Sequence, residues 1–172
     1  YLNMGADGIY LFNLFRNPFH PWESAEIIWN TCGSLDTALA GKRRHIVSPQ
    51  DICPDGSAAY APLPLEIPAG EKAVLEIPIA PADASRTLTI KLGIRRGQPP
   101  RVRINGLKCG SPVLSDCEYT NGEITFYDYE VPRAEFPAKE RLEITNGGDE
   151  KISVFYAEIS IYGFTQMQIN PY

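Results

Sequence analysis

The sequence predicts a mainly β protein, in which an antiparallel β-sandwich follows a single strand–helix unit. Apolar and polar residues alternate along several segments after residue 60, as they do in strands that bury one face. Turn-forming residues separate these segments, among them Asn105-Gly106, a pair that suits a tight hairpin. Residues 8–15, in contrast, are almost continuously apolar, which is typical of a strand covered on both faces in a parallel sheet.

The N-terminal strand leads into a predicted helix. Trp22, Ala25 and Ile28 recur at helical spacing after Pro21, which suits the first helical position. A buried parallel strand followed by a helix is one βα unit, and such a unit needs neighbouring strands. We therefore expect residues 1–47 to be the end of a larger α/β domain, and the chain to be the C-terminal part of a longer protein.

The stretch that follows is connective. A short helical turn capped by Ser34 and a short strand over residues 45–47 are predicted first. Residues 48–59 are rich in Pro, Asp, Gly and Ser, the composition of an exposed linker. The predicted domain organisation is therefore 1–47 for the strand–helix unit, 48–59 for the linker and 60–172 for the β-sandwich.

Alternation with a period of two marks the strands of the sandwich. Leu63, Leu65 and Ile67 alternate with prolines. This segment fits only an edge strand, because proline cannot donate a hydrogen bond to the ladder. Residues 87–94 form the clearest half-buried strand. In the aromatic strand over residues 123–132, Tyr127 and Tyr129 share a face, so we expect tyrosines here to pack in the sheet. Further strands are predicted at 73–79, 101–106, 140–146 and 151–163.

Short phrases in these strands carry a resemblance to a known class of module. They are V-R-I-N-G at 102–106, Y-E-V-P at 129–132, L-E-I-T-N at 142–146 and A-E-I-S-I-Y at 157–162. Over residues 60–163 their order resembles the galactose-binding-like (jelly-roll) modules appended to glycoside hydrolases. The phrase G-A-D-G-I-Y-L-F-N at 5–13 looks like the last strand of a glycoside-hydrolase-type (β/α)8 barrel.

The resemblance implies that the chain is the C-terminal, non-catalytic part of a glycoside-hydrolase-like protein. Its sandwich is expected to bind an oligo- or polysaccharide, or to brace the N-terminal barrel. The parent protein is expected to be an exported glycoside hydrolase, extracellular or periplasmic. The alternative is a structural or protein-interaction sandwich with no sugar ligand.

Composition and motifs argue against several other functions. A net charge of -5 over 172 residues disfavours nucleic acid as a partner, because phosphate binding needs clustered Lys and Arg. No apolar run approaches the length of a membrane span. His20 and His45 lie away from any nucleophile motif, and Walker, dinucleotide and C-x-x-C signatures are missing. Glycoside hydrolysis needs two carboxyl groups about 5 to 9.5 Å apart, which a barrel supplies from the ends of its strands. Without the other strands of a barrel, no catalytic residue is predicted for this chain alone. No cofactor is expected to be required.

Six residues are candidates for contact with a sugar: Asn13, Arg16, Trp22, Tyr60, Tyr119 and Asn121. The first three lie at or after the exit end of the N-terminal strand, the end where a (β/α)8 barrel keeps its active site. The last three belong to the sandwich, where an aromatic ring can cover the apolar face of a pyranose and an amide can serve its hydroxyls. The alternatives are loop and helix-cap structure for the first group, and sheet packing for the tyrosines.

Related modules often carry a structural calcium ion, and the resemblance points to Asp116, Asp128 and Glu158 as its ligands. The four cysteines have no zinc-site spacing. Cys109 and Cys117 flank one loop and are the easiest pair for a disulfide, while free thiols fit the sequence equally well.

Overall fold

The computed structural model describes residues 34–49, 62–116, 123–137 and 139–162. This part of the chain is mainly β, and its strands form two antiparallel sheets, consistent with the predicted β-sandwich. In chain order the elements are α1 (Leu35–Ala40), β1 (Arg43–Val47), β2 (Leu65–Ile67), β3 (Lys72–Pro78), β4 (Thr87–Arg95), β5 (Arg101–Ile104), β6 (Leu107–Lys108), β7 (Val113–Leu114), β8 (Ile124–Glu130), β9 (Lys139–Thr145) and β10 (Ile152–Tyr162).

The helix α1 begins as the sequence predicts. The Ser34 hydroxyl accepts a hydrogen bond from the Thr37 backbone N–H at 3.2 Å, which satisfies one of the free donors at the start of the helix. The predicted helical turn at this position is therefore confirmed.

The larger sheet has the strand order β1-β10-β4-β8-β7, and β2 pairs with another part of β10. Strand β1 pairs along its whole length, from Arg43 opposite Ile161 to Val47 opposite Ala157. Residues 43–47 are therefore part of this sheet, although the sequence reading places them in the N-terminal unit. Residues 1–33, the rest of that unit, lie outside the described residues, so the βα unit stays a prediction.

The smaller sheet has the strand order β3-β9-β5-β6. It shares one apolar core with the larger sheet: Leu75, Leu142 and Ile144 of the smaller sheet belong to the same buried cluster as Ile90 and Ile159 of the larger one. Each lies on the inward face because side chains alternate along a strand. Burying one such side chain contributes about 1.5–3 kcal/mol, so this shared core is the main source of stability.

The hairpin between β5 and β6 confirms the turn predicted from Asn105-Gly106. Asn105 has a φ of 47° and Gly106 a φ of 85°, the positive values that a two-residue hairpin turn requires. Ile104 and Leu107 pair across it. The Asn105 side chain also reaches the neighbouring strand, where its Nδ2 donates to Glu140 Oε2 at 2.5 Å and its Oδ1 accepts from the Arg141 backbone N–H at 2.9 Å.

Glu140 is a carboxyl group on the inward face of β9, with no exposed surface. Its Oε1 has no hydrogen-bond partner within the described ranges, and burial raises its pKa, partly offset by the bond from Asn105. A carboxyl whose pKa is higher in the folded than in the unfolded state favours folding while it is protonated. Its contribution is therefore complete at low pH and is lost as the pH rises through the folded-state pKa.

We expect Glu140→Gln to stabilise the protein more at pH 8 than at pH 4. Glutamine keeps an acceptor for Asn105 and removes the charge that burial disfavours. The measurement is the melting temperature of wild type and variant across this pH range, with the exposed Glu135→Gln as the matched control. A difference between wild type and Glu140→Gln that is the same at both pH values would contradict the expectation.

Candidate functional site

A polar cleft of about 210 Å³ lies on the outer face of the larger sheet. Its lining residues all carry hydroxyl, carboxylate or ammonium groups: Thr89, Lys91, Asp116, Asp128, Glu158, Ser160 and Tyr162. Six of the seven come from the three adjacent strands β4, β8 and β10. The sheet thus presents a row of polar side chains on the side opposite the apolar core.

Strand register places these groups next to one another. Lys91 on β4 lies opposite Glu158 of β10 on one side and opposite Asp128 of β8 on the other. A basic residue therefore stands between two acidic ones across three neighbouring strands. Directly opposed side chains of an antiparallel sheet are close neighbours, so the three charges stand side by side on one face of the sheet.

A β-bulge in β10 sets which residues face the cleft. The register with β4 shifts between Val154 and Tyr156, so that Phe155 is the extra residue. Before the bulge, Val154 belongs to the buried core; after it, Tyr156 and Glu158 fall on the outer face. A bulge of this kind re-aims the side chains that follow it. Without the shift, the polar residues of β10 would point into the apolar core.

Lys91 is the most unusual residue of the cleft, since it is only 5% exposed. Its ammonium group forms an ion pair with Asp128 at 2.9 Å and donates a hydrogen bond to the Ser115 hydroxyl. Lysine is rarely buried to this degree unless it is paired. The two bonds to Asp128 and Ser115 supply that pairing.

Glu158 has no exposed surface and accepts hydrogen bonds from the hydroxyls of Tyr156 and Ser160. Tyr162 completes the row, hydrogen-bonded to Thr89 and Ser160. Burial raises the pKa of the Tyr162 hydroxyl, and the nearby negative charges of Glu158 and Asp128 raise it further. Tyr162 therefore stays protonated at neutral pH and can act as a hydrogen-bond donor.

The three acids proposed as calcium ligands do line one cleft, but their setting does not fit a calcium ion. The Lys91 ammonium already neutralises Asp128 by direct contact. Within the part of the chain that the structure describes, no group of three His, Cys, Asp or Glu residues has an arrangement that could hold a metal ion. A divalent ion needs several oxygen ligands around it, and a neighbouring ammonium group opposes its binding.

The arrangement suits recognition of a small polar ligand. Threonine, serine and tyrosine hydroxyls can donate or accept hydrogen bonds, and the carboxylates accept them, as sugar hydroxyls require. Tyr162 adds an aromatic ring, one face of which lies under the Lys42 ammonium at 4.6 Å. The cleft therefore carries groups that could bind a small polar ligand.

The six residues that the sequence nominates for sugar contact all lie outside the described residues, so their roles stay predictions: Asn13, Arg16, Trp22, Tyr60, Tyr119 and Asn121. Sequence reasoning missed Thr89, Lys91, Ser160 and Tyr162, which lie in strands. One sequence signal could have pointed to them: the outward positions of these neighbouring strands carry hydroxyl groups and charges of opposite sign.

Two other expectations concern tyrosines and cysteines. Tyr129 is only 1% exposed, and its hydroxyl donates to the Pro100 carbonyl at 2.9 Å, while Tyr127 packs against the same core. Both tyrosines are thus packing residues, as expected. Cys109 is a buried free thiol, and burial raises its pKa to about 11. Cys117 lies outside the described residues.

No model of a protein family matches the chain, and no curated protein matches it in sequence. In the described ranges, no helix has both the length and the apolar composition to cross a membrane.

Proposed function

We propose that this chain is a non-catalytic accessory module of a glycoside-hydrolase-like protein, and that its β-sandwich binds carbohydrate. The observation that supports the proposal is the cleft on the larger sheet. A run of hydroxyls and carboxylates on a rigid three-strand platform, beside a tyrosine ring, has the hydrogen-bonding chemistry of a sugar site.

The family resemblance extends the proposal to the rest of the protein. Residues 60–172 and strand β1 form a galactose-binding-like jelly roll in this view, and the residues before β1 close a (β/α)8 barrel that belongs to an exported glycoside hydrolase. The phrases quoted from residues 5–13 and 102–162 support this assignment. Catalysis would lie in the barrel, and the sandwich would hold polysaccharide near it or brace it.

The expected affinity for a simple sugar is low. A cleft of about 210 Å³ holds roughly one monosaccharide ring, so few groups are buried on binding. A few hydrogen bonds and one ring contact supply a dissociation constant of ~0.1 to 1 mM. Multiple modules or repeated ligand units would raise the apparent affinity.

The test is a glycan array followed by titration calorimetry with the best neutral oligosaccharide. We expect Thr89→Val together with Tyr162→Phe to weaken binding by about ten-fold, since two hydrogen-bonding hydroxyls are removed with little change of shape. Thr125→Val, on an exposed threonine of β8 outside the cleft, should bind like the wild type.

A third variant, Tyr119→Ala, separates the two possible positions of the site. If Tyr119→Ala abolishes binding while the cleft variants do not affect it, the sandwich binds carbohydrate through its loop instead. If the wild type binds no glycan on the array or in calorimetry at millimolar sugar, the result favours the structural or protein-interaction module.

The second candidate function is a structural or protein-interaction module with no sugar ligand. A specific feature of the larger sheet favours it: Val113 and Leu114 of the short edge strand β7 are 65% and 69% exposed. Two large apolar side chains on a sheet edge form a surface that another domain can cover. A sandwich that braces the barrel and a sandwich that binds another protein would both use β7 as a contact surface.

A further inference from the structure

A second and larger cleft, of about 450 Å³, lies at the smaller sheet. Strands β5, β6 and β9 and the loop after β6 surround it. Three of its lining residues are basic and exposed: Arg101, Arg103 and Lys108. Ser111 and Thr145 add hydroxyl groups to the wall.

The fold itself places the three cations together. Arg101 and Arg103 stand two positions apart on β5, so their side chains leave the sheet on the same outer face. The tight turn at Asn105-Gly106 then folds β6 back, and Lys108 comes to lie directly opposite Arg103. Two guanidinium groups and one ammonium group therefore share one side of the hairpin.

This positive charge is not neutralised by the surrounding described residues. Glu143 faces Arg103 across the ladder, but its carboxylate is bonded to Lys72 Nζ at 3.1 Å. Arg101 and Lys108 form no ion pair within the described ranges. Arg103 uses one guanidinium nitrogen to donate to the Gly106 carbonyl at 3.0 Å, which holds the group in place.

The whole outer face of the smaller sheet carries more basic than acidic side chains. The charged side chains that the structure describes there are the basic Lys72, Arg101, Arg103, Lys108 and Arg141, and the acidic Glu76 and Glu143. The Cys109 thiol at the base of the cleft has a pKa raised to about 11 by burial, so it stays neutral and adds no negative charge. A protein with a net charge of -5 thus concentrates positive charge on one face.

We propose that this basic cleft binds the acidic group of an anionic oligosaccharide, either a uronate carboxylate or a sulfate ester. Guanidinium groups pair with such planar or tetrahedral anions through two parallel hydrogen bonds, and lysine adds a point charge. The hydroxyls of Ser111 and Thr145 can serve the neutral hydroxyls of the sugar. That the anion belongs to a glycan rests on the proposed function.

The overall charge of the protein favours a sparsely charged ligand over nucleic acid. A nucleic acid carries one phosphate for each nucleotide, and its binding needs an extended basic surface. Three cations in one cleft instead suit a chain with about one charge per sugar. The positive face supplies attraction at short range, where salt screens it least.

The test is titration calorimetry at low ionic strength with four probes of similar length. They are tetragalacturonate, a sulfated galactan tetrasaccharide, neutral galactotetraose and a single-stranded DNA tetranucleotide. The variant is Arg101→Gln with Lys108→Gln, both exposed and outside the core, so that the fold is preserved. The control is Arg96→Gln with Lys151→Gln, which removes the same charge from exposed positions away from the cleft.

We expect at least one acidic tetrasaccharide to bind ten-fold or more tightly than galactotetraose. The Arg101→Gln, Lys108→Gln variant should lose about ten-fold in affinity for it, whereas the control should lose less than two-fold. Which of the two acidic probes binds identifies carboxylate or sulfate as the group recognised.

Three outcomes would overturn the proposal: no preference for the acidic probes, equal loss in variant and control, or DNA binding as tight as that of the acidic sugars. Suppose that one of these outcomes occurs while galactotetraose or another neutral glycan binds through Thr89 and Tyr162. The proposed function then stands, and only this inference fails. If neutral and acidic probes alike fail to bind, both fail.

Discussion

Replacing Asn146 by alanine is expected to lower the free energy of unfolding by about 3 kcal/mol, because three backbone carbonyls each lose a hydrogen bond at once. Asn146 has no exposed surface. Its Nδ2 donates to the carbonyls of Ile67 at 3.0 Å, Pro68 at 3.1 Å and Glu150 at 2.7 Å, and its Oδ1 accepts from the Gly148 N–H at 3.0 Å. One side chain thus joins the end of β2 to the turn between β9 and β10.

Urea unfolding of the wild type and two variants measures this effect. The control is Asp149→Ala, an exposed side chain in the same turn, which should change the free energy of unfolding by less than about 0.5 kcal/mol. Asn146→Asp keeps the Oδ1 acceptor but replaces the donors with a buried charge, so it should be at least as damaging as alanine. A loss below about 1 kcal/mol in Asn146→Ala would show that water, or the Glu71 N–H in the case of Pro68, satisfies these carbonyls.

Asn146 also shows where sequence reasoning stops. The run Asn146-Gly147-Gly148-Asp149 is recognisable as a break between two strands, and the structure places a bend there, between β9 and β10. Nothing in the run reveals that the first residue is buried and bonded to a strand distant in sequence. Turn chemistry is local, whereas hydrogen bonds such as that to Ile67 depend on how the strands pack.

The strands themselves were largely predictable because alternation reports burial directly. The run in β4 reads as a half-buried strand, and Leu88, Ile90 and Leu92 are indeed buried. The same alternation places Lys91 on the outer face, yet Lys91 is only 5% exposed. A period of two identifies the face of a strand but not whether other groups cover that face.

The bulge in β10 and the pairing of β1 with β10 could not be predicted from alternation either. Phe155 interrupts the alternation of β10, and a bulge leaves no clear mark in an apolar run. Strand β1 is five residues long and pairs with β10 at the other end of the chain. So short a segment carries little periodicity, and its pairing depends on tertiary contacts. The candidate site depends on both β10 and its register.

Lys91→Met is expected to lower the free energy of unfolding by about 2 to 3 kcal/mol, because it leaves acidic groups in the cleft without their cation. The estimate is below that for a fully buried pair, since Asp128 keeps 36% of its side chain exposed. Methionine matches the length of the lysine stem, so packing should change little. Lys72→Met is the matched control: this lysine is 63% exposed in its ion pair with Glu143, and its loss should cost about 0.5 kcal/mol or less.

A double-mutant cycle with Glu158→Gln separates the loss of the cation from a general loss of packing. If the charges of Lys91 and Glu158 support each other, the double variant should be more stable than the sum of the two single losses predicts, by about 1 kcal/mol or more. Purely additive losses in urea unfolding would mean that Lys91 acts only through Asp128 and Ser115. In that case Glu158 depends on the hydroxyls of Tyr156 and Ser160, and the cleft consists of two independent polar groups.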